Sequence, residues 1–283
     1  MHQFDFIFAL RPSTVCNMRC SYCYRVDHLN QHHKFIKYDI DSMIWHSEQR
    51  PNNLFNFCGL GETMLHPQFN DMIIELSNVT NVNWVTNGTC FESDAFEEIL
   101  RFANHKNIMD VIVSVHFGQI KDFNEYVNSN IKTFIHLSQL NIKVHFTTIL
   151  TDENIDLVIE HRHMFPNLVI KRPFIVYVQN GIPIYHEYRK ETLDKLEQIG
   201  LNPGRDYGGI SIPYYGKSCP NGARIAEIMH DGKIFDCSFD ENRILIGDIN
   251  IKEPIRTLPL PRLCKAHCID CIPVVRDGYD LLK

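Results

Sequence analysis

The first 180 residues alternate short apolar runs with longer amphipathic segments, and this alternation constrains the fold more than any other feature. Six runs have the length and composition of strands: residues 4–10, 53–58, 81–86, 109–117, 142–150 and 168–178. Five segments between them have helical patterns, at about 38–49, 68–78, 92–105, 121–140 and 153–165. Strands that alternate with helices predict βαβ crossovers and a parallel sheet.

The number of units and the first turn decide between two parallel architectures. No glycine-rich turn of the dinucleotide-binding type follows the first strand, so we expect a partial (βα)6 TIM-like barrel and not a Rossmann sheet. Near residue 200 the composition shifts towards Gly, Pro and Tyr, and residues 224–238 predict a β-hairpin that turns at Asp231-Gly232. We therefore divide the chain into a barrel over residues 1–200 and a small Cys-rich domain of hairpin and loops over residues 201–283.

Composition limits the partners that such a protein can have. Of the 283 residues, 44% are hydrophobic and 22% are charged, and the formal net charge is −6. The absence of a long basic run argues against a nucleic-acid backbone as the partner. No targeting signal and no apolar run of about 20 residues is present. We expect a soluble, cytoplasmic protein with no membrane partner.

Ten cysteines are distributed unevenly. Cys16, Cys20 and Cys23 lie within eight residues directly after the first strand, and five others follow residue 218. In a reducing compartment such clusters are more often metal ligands than disulfides. A structural zinc site needs four ligands and would have to borrow Cys58 or His28. A cubane iron–sulfur cluster held by three thiolates would instead leave one iron open to another ligand.

The spacing Cys16-x3-Cys20-x-Tyr22-Cys23 resembles the signature of the radical S-adenosylmethionine superfamily. The resemblance implies a [4Fe–4S] cluster on these three cysteines. It also implies that the amino and carboxylate groups of S-adenosylmethionine chelate the open iron. In this family one electron from the cluster cleaves the cofactor to methionine and a 5′-deoxyadenosyl radical, which abstracts hydrogen from a substrate.

Segments after the later strands resemble the cofactor-binding motifs of the same family. "CGLGETMLHP" (58–67) is similar to its Gly-Gly-Glu-Pro segment, with the middle Gly and the Pro replaced. There the resemblance implies close backbone approach at the glycines and a contact of the glutamate with the methionine amino group. "TNGT" (86–89), a serine on the fourth strand and Thr147 or Thr148 on the fifth match further cofactor contacts. The implied set is Tyr22, Gly59, Gly61, Glu62, Asn87, Ser114 and Thr147.

The tail carries a second cysteine pattern. Cys219-x12-Gly232-x4-Cys237 resembles the opening of the SPASM and twitch domains, which hold auxiliary [4Fe–4S] clusters. A full SPASM domain needs seven cysteines and this tail has five, so the resemblance implies the twitch type with one auxiliary cluster. The implied ligands are Cys219, Cys237, Cys268 and Cys271, with Cys264 as a further candidate. Two alternatives stay open: a cluster with an open iron on the last three cysteines, and a zinc knuckle.

Three residues near the predicted strand ends are candidates for a catalytic role. Cys58 and Cys90 follow the second and third strands, where a thiol can donate a hydrogen atom to a substrate radical. His116 ends the fourth strand and could orient a substrate. Each has a plainer interpretation, because isolated cysteines are commonly small buried apolar residues and many histidines are simply packed and hydrogen-bonded.

These features predict a radical S-adenosylmethionine oxidoreductase or modifying enzyme, with an electron donor such as flavodoxin or ferredoxin. Only 15 residues precede Cys16, so we expect no fused peptide-recognition domain. This favours a small-molecule substrate such as a sugar, aminocyclitol or nucleoside, which a net oxidation or other modification would change with help from the auxiliary cluster. The first alternative is a maturase that epimerises, crosslinks or oxidises a ribosomally made peptide. The second is a non-enzymatic metal-stapled scaffold or electron carrier.

Overall fold

The computed structural model describes residues 4–23, 35–59, 61–171, 177–179, 182–184, 188–200, 221–237, 243–259 and 263. The strands are β1 Phe6–Leu10, β2 Asn53–Phe57, β3 Asn81–Thr86, β4 Ile108–Val115, β5 Lys143–Ile149, β6 Val169–Lys171, β7 Tyr177–Gln179, β8 Ile182–Ile184, β9 Ile225–Ile228, β10 Lys233–Phe235 and β11 Leu245–Asp248. The helices are α1 Ile40–Glu48, α2 Phe69–Ser77, α3 Asp94–Phe102, α4 Phe123–Gln139, α5 Ile155–His161 and α6 Lys190–Gln198. No helix in these ranges has the length and apolar character needed to cross a membrane.

Nine strands form one sheet in the order β11-β10-β9-β1-β2-β3-β4-β5-β6. Strands β9 and β1 to β6 pair in parallel, and β10 and β11 add an antiparallel hairpin edge. Within the described residues the sheet is not closed, because β11 and β6 lie at opposite edges. The predicted α/β fold with a partial, TIM-like parallel barrel is confirmed.

The first five predicted strands and the five predicted helices are all present, with ends within four residues of the predicted ones. The run at 168–178 contains β6 and the first two residues of β7, and β7 pairs with β8 in a separate two-stranded sheet. The sequence reasoning missed α6. Several helix starts have a polar cap, since the side chains of Asp39 and Asp122 accept N–H groups from Ser42 and Glu125, and Ser93 does the same for α3.

The tail contributes directly to the sheet. The predicted hairpin is present as β9 and β10, and Gly232 at its turn has φ +81°, a left-handed conformation that favours glycine. Strand β9 also pairs in parallel with β1, from Ile7↔Ile225 to Leu10↔Ile228. The division into domains at residue 200 stays a prediction, but hydrogen bonds of a single sheet join the two segments.

Two apolar layers cover the two faces of the sheet, as the alternation of side chains along a strand requires. The larger layer packs against the helices, and includes Phe8, Phe55, Trp84 and Phe146, each fully buried. The smaller layer lies on the opposite, inner face. It consists of Phe4, Ile7, Ala9, Leu54, Cys58 and Ile225, with Val85 and Met109 at its margin. The inner face thus has few apolar residues, which leaves room for polar ones.

Candidate active site

The carboxyl ends of the parallel strands meet at one edge, and the loop over residues 11–23 lies there after β1. The segment after β2 is hydrogen-bonded to this loop through backbone groups. The N–H of Gly61 donates to the carbonyl of Ser13 at 3.1 Å, and that of Glu62 to the carbonyl of Val15 at 2.8 Å. The fold therefore brings the cysteine loop and the Gly-x-Gly-Glu segment together, as expected at the carboxyl edge of a barrel.

Cys16, Cys20 and Cys23 are in no disulfide; Cys20 is buried and the other two are half-buried. The N–H of Met18 donates to Sγ of Cys16 at 3.4 Å, and the N–H of Cys23 donates to the carbonyl of Cys20 at 3.0 Å. Burial raises the pKa of Cys20 to about 12 and also raises that of Cys16. A bound metal would oppose this effect, because coordination favours the thiolate.

Three thiols are the number of protein ligands that a cubane cluster with one open iron would need. Among the described residues, no three His, Cys, Asp or Glu side chains stand in a metal-binding arrangement. The backbone beside them is closely packed at two glycines. A Cβ at Gly61 would overlap the carbonyl of Val15, and a Cβ at Gly59 would overlap that of Gly61. The residue types fit the cluster, although the three thiols do not stand in a metal-binding arrangement.

His116 joins the end of β4 to the cysteine loop. Its Nδ1 lies 2.7 Å from the hydroxyl of Tyr22 and 3.3 Å from Sγ of Cys20, and its ring stacks on that of Tyr22 at 6.0 Å between centroids. Burial lowers the pKa of His116 to about 4 and raises that of Tyr22. Near neutral pH the pair is therefore an imidazole and a phenol, both uncharged, against the cysteine loop.

Glu62 is 2% exposed, and its carboxylate joins the ends of β2 and β3. Oε1 accepts from the N–H of Met64 at 3.0 Å and from Oγ1 of Thr86 at 2.8 Å. Oε2 accepts from the N–H of Asn87 at 2.6 Å. Burial raises the pKa of Glu62, while the three donors act in the opposite direction. Glu62 thus positions the backbone of the Asn87 segment, a function that the sequence did not indicate.

Asn87 also contacts the cysteine loop through its side chain. Its Nδ2 donates to Oδ1 of Asn17 at 2.8 Å, and Nδ2 of Asn17 donates to Oγ1 of Thr89 at 2.7 Å. Tyr126 in α4 donates its hydroxyl hydrogen to the carbonyl of Asn87 at 2.8 Å. Asn17 was identifiable by its position directly after Cys16, but Tyr126 is 39 residues from Asn87 and the sequence contains no signal for it.

Ser114 and Thr147 are register partners on β4 and β5. Phe146 and Val144 pack in the layer that faces the helices, so Thr147 has the opposite orientation and shares the inner face with Ser114. Thr148 faces the helices, and its Oγ1 donates to the carbonyl of Val115 at 2.8 Å. Of the two threonines proposed for the cofactor ribose, only Thr147 lies on the inner face.

The remaining candidates lie in different surroundings. Cys58 is 1% exposed in the inner apolar layer, which matches its plainer interpretation as a packing residue. Cys90 is half-buried, with its Sγ 3.8 Å from Oγ1 of Thr89, and burial raises its pKa. Cys237 is half-buried after β10. The other predicted ligands lie outside the described residues: Cys219, Cys264, Cys268, Cys271 and the alternative zinc ligand His28.

No family model matches the sequence, and no curated protein is similar to it at a significant level. Solved structures are similar in fold, and they are radical S-adenosylmethionine enzymes. The described part of the chain has the fold of this class, with an open α/β barrel.

Two such structures have been solved with S-adenosylmethionine bound. SuiB of Streptococcus suis is 16% identical, with a TM-score of 0.54 over 86% of this chain. The enzyme anSMEcpe is 17% identical, with a TM-score of 0.58 over 87% of this chain. The chain spans 63% of the length of SuiB and 78% of that of anSMEcpe. At these identities the likeness establishes the fold alone.

Proposed function

We propose that the protein is a radical S-adenosylmethionine enzyme. The observation that carries this proposal is a loop with three cysteines outside any disulfide, which lies against two closely packed glycines and a buried glutamate at the carboxyl edge of the parallel sheet. A fold shared with S-adenosylmethionine-bound enzymes supports it. A scaffold or electron carrier would have no use for polar residues at successive strand ends.

Cys16, Cys20 and Cys23 would hold the cluster, and the cofactor would lie along the segments at Gly59–Gly61 and Asn87. Bound there, the cluster and S-adenosylmethionine would supply a 5′-deoxyadenosyl radical that abstracts hydrogen from the substrate. The residues of the chain fix the relative positions of these segments, since Glu62 and Asn17 hold the Asn87 segment against the cysteine loop. Ser114 and Thr147 offer hydroxyl groups on the inner face beside it.

Cluster content and cofactor cleavage test this proposal together. Anaerobically reconstituted protein should hold about eight irons in two cubanes, and replacement of all three cysteines of the first loop by Ala should leave about four. Reduced with dithionite, the wild-type protein should release 5′-deoxyadenosine from S-adenosylmethionine even without substrate. Stoichiometric zinc in place of iron, or no release by the iron-loaded protein, would refute the proposal.

We further propose one auxiliary [4Fe–4S] cluster in the tail, on Cys219, Cys237, Cys268 and Cys271, with Cys264 as the spare thiol. This cluster would either accept the electron of the substrate radical or form part of the wall of the substrate site. Replacing Cys219 and Cys237 by Ala should preserve the first cluster and 5′-deoxyadenosine release but abolish product formation. If this variant forms as much product per 5′-deoxyadenosine as the wild type does, the auxiliary cluster has only a structural role. A flavodoxin or ferredoxin would supply the reducing electron.

The substrate proposed first is a small polar molecule such as a sugar, aminocyclitol or nucleoside. A peptide is the second candidate, and a specific observation favours it. SuiB has been solved with its precursor peptide SuiA at a TM-score of 0.51 to this chain, and anSMEcpe with the Cp18Cys peptide at 0.54. If a short open reading frame lies beside the gene, its synthetic peptide should raise 5′-deoxyadenosine release and change in mass. If the peptide neither raises 5′-deoxyadenosine release nor changes in mass, a small molecule remains the proposed substrate.

A further inference from the structure

The inner face of the sheet carries polar side chains where barrels of this type usually have apolar layers. The strand register aligns them in one row, in which Ala9 pairs with both Glu227 and Asn56, and Asn56 pairs with Asn83. Glu227 lies on this face because Ile225, two residues before it, belongs to the inner apolar layer. All three polar residues, Glu227, Asn56 and Asn83, are at most 1% exposed.

Arg11 and Glu227 form a buried ion pair at the end of this row. Nε and Nη2 of Arg11 donate to the same oxygen of Glu227, Oε2, at 3.1 and 3.0 Å. The two side chains are 2% and 0% exposed. A buried pair of this kind seldom stabilises a fold more than apolar residues of similar volume would. Its presence inside the sheet therefore calls for another explanation than stability.

The second carboxylate oxygen of Glu227 supplies that explanation. Oε1 is buried and has no hydrogen-bond partner within the described part of the chain. Leaving a buried acceptor unsatisfied is costly, so native proteins pair such atoms with a side chain, a water or a ligand. Arg11 balances the charge of the carboxylate, so Oε1 presents a hydrogen-bond acceptor in a neutral pair. Such an acceptor suits an uncharged O–H or N–H donor better than a cation.

The position of Glu227 connects this acceptor with the candidate active site. Strands β1 and β9 run in parallel, and the N–H of Arg11 donates to the carbonyl of Ile228 at 2.8 Å. Glu227 therefore lies one residue from the carboxyl end of β9, at the edge where the cysteine loop begins. Arg11 itself is five residues before Cys16 in the sequence.

We propose that Glu227, held by Arg11, binds substrate: its Oε1 accepts a hydrogen bond from a hydroxyl or amide N–H group of the molecule on which the enzyme acts. This inference rests on the proposed function, since it places the substrate on the inner face beside the cysteine loop. It assigns to the tail segment, through β9, a direct part in substrate recognition. Hydroxyl donors would indicate a polyol-like substrate, and amide donors a peptide.

Crystals of the reconstituted wild-type protein, soaked with myo-inositol or with N-acetylglycinamide, test the contact directly. We expect a hydroxyl oxygen or an amide nitrogen of one probe within hydrogen-bonding distance of Oε1. If a water molecule stays bound to Oε1 in the presence of each of the two probes in turn, the proposal is wrong. Oε1 would then accept a hydrogen bond from a structural water and not from the substrate.

Solution affinities for the same probes give an independent result. In Glu227→Gln, one amide atom still accepts from Arg11 while the other becomes a donor, so the affinity for the bound probe should fall at least about tenfold. Glu253→Gln, at an exposed acid of the tail, is the matched control and should bind as wild type does. Equal affinities in wild type and Glu227→Gln would mean binding at crystal concentration only and would refute the proposal.

Two further measurements separate folding and function from recognition. If Glu227→Gln fails to fold, the double variant Arg11→Met with Glu227→Leu replaces the pair by apolar side chains, which buried pairs commonly tolerate. It should fold and lose probe binding, and retained binding would count against the proposal. Wild-type protein that releases no 5′-deoxyadenosine would refute the proposed function, while the position of the probe would still decide the role of Glu227.

Discussion

Glu62 acts through the backbone that it holds as much as through its charge. Three donors from Met64, Thr86 and Asn87 occupy its carboxylate, and two of them belong to the end of β3. A buried carboxylate is tolerable only with such donors, because desolvation disfavours the charged form. The carboxylate thereby ties the segment after β2 to the segment after β3, the two segments implied to contact the cofactor.

Replacing Glu62 by Ala should weaken S-adenosylmethionine binding by about tenfold to a hundredfold. The substitution removes the carboxylate that the family resemblance implies as a partner of the cofactor ammonium, and it leaves the buried donors of Thr86 and Asn87 without an acceptor. Isothermal titration of the iron-loaded protein with S-adenosylmethionine measures the effect. Glu75→Ala, at an exposed acid of α2, is the control. Unchanged affinity in Glu62→Ala would show that this segment does not contact the cofactor.

His66 makes stability depend on pH. It is 3% exposed and its Nδ1 accepts the N–H of Gln68 at 3.2 Å, and burial lowers its pKa to about 4. The unfolded chain then binds a proton near pH 6.5 that the folded chain does not bind until about pH 4. This histidine therefore contributes a loss of stability of about 3 kcal/mol as the pH falls through that window.

In His66→Asn the free energy of unfolding should decline less between pH 6.5 and pH 4 than in the wild type. Urea unfolding at a series of pH values measures the difference, and His136→Asn, at an exposed histidine of α4, is the matched control. If the two variants have equal slopes, the protonation of His66 does not oppose folding.

At the scale of elements, the loop after β1 and the turn after β2 fit together without space for a side chain. A Cβ on Gly61 would overlap the carbonyl of Val15, and the N–H of Gly61 already donates to the carbonyl of Ser13. Two peptide segments approach here at backbone distance, which only glycine permits. The geometry of the cysteine loop therefore depends on a residue in the following βα unit.

Gly61→Ala should destabilise the protein by about 1–3 kcal/mol and should reduce the iron that the first loop retains, because the loop must move away from the added methyl group. Iron analysis after reconstitution and thermal unfolding measure both effects. Gly247→Ala is the control, since a Cβ at Gly247 would meet its nearest atoms at an ordinary 3.5 Å. Equal iron retention in the two variants would contradict the proposed dependence.

At the scale of the whole molecule, β1 is flanked on both sides, by β2 and by β9. Its partner β9 comes from a segment more than 200 residues later, and the apolar side chain of Ile225 completes the inner layer with Ile7 and Ala9. The strand that leads into the cysteine loop is therefore an interior strand only when the tail is in place. The position of the cysteine loop therefore depends on strands from both sides of the predicted domain boundary at residue 200.

A chain that ends at residue 200 should not form a stable barrel, because β1 would become an edge strand with unpaired backbone groups and an exposed apolar face. We expect a broad or absent thermal transition and fast amide exchange at Ile7 and Ala9. The full chain with Cys219→Ala and Cys237→Ala is the control, since it retains β9. A cooperative transition in the truncated chain would show that residues 1–200 fold independently.

Local patterns determined most of the fold of this protein. Apolar runs of strand length and amphipathic segments of helical length specify β1 to β5 and α1 to α5, because the hydrophobic period depends on residues within a few positions of each other. The cysteine motif and the hairpin turn at Gly232 could be recognised in the sequence for the same reason. The placement of the cysteine loop at the carboxyl edge followed from the parallel topology that this alternation imposes.

Only the tertiary structure decided which distant groups meet. The sequence contained no sign that β9 pairs with β1, that Arg11 and Glu227, 216 residues apart, form a buried ion pair, or that Tyr126 supports Asn87. The resemblance pointed to Thr147 or Thr148 and favoured Thr147, but only the orientation of β5 shows that Thr147 lies on the inner face and Thr148 does not. Such contacts depend on how separate elements pack, and a side chain's own neighbours in sequence carry no record of that packing.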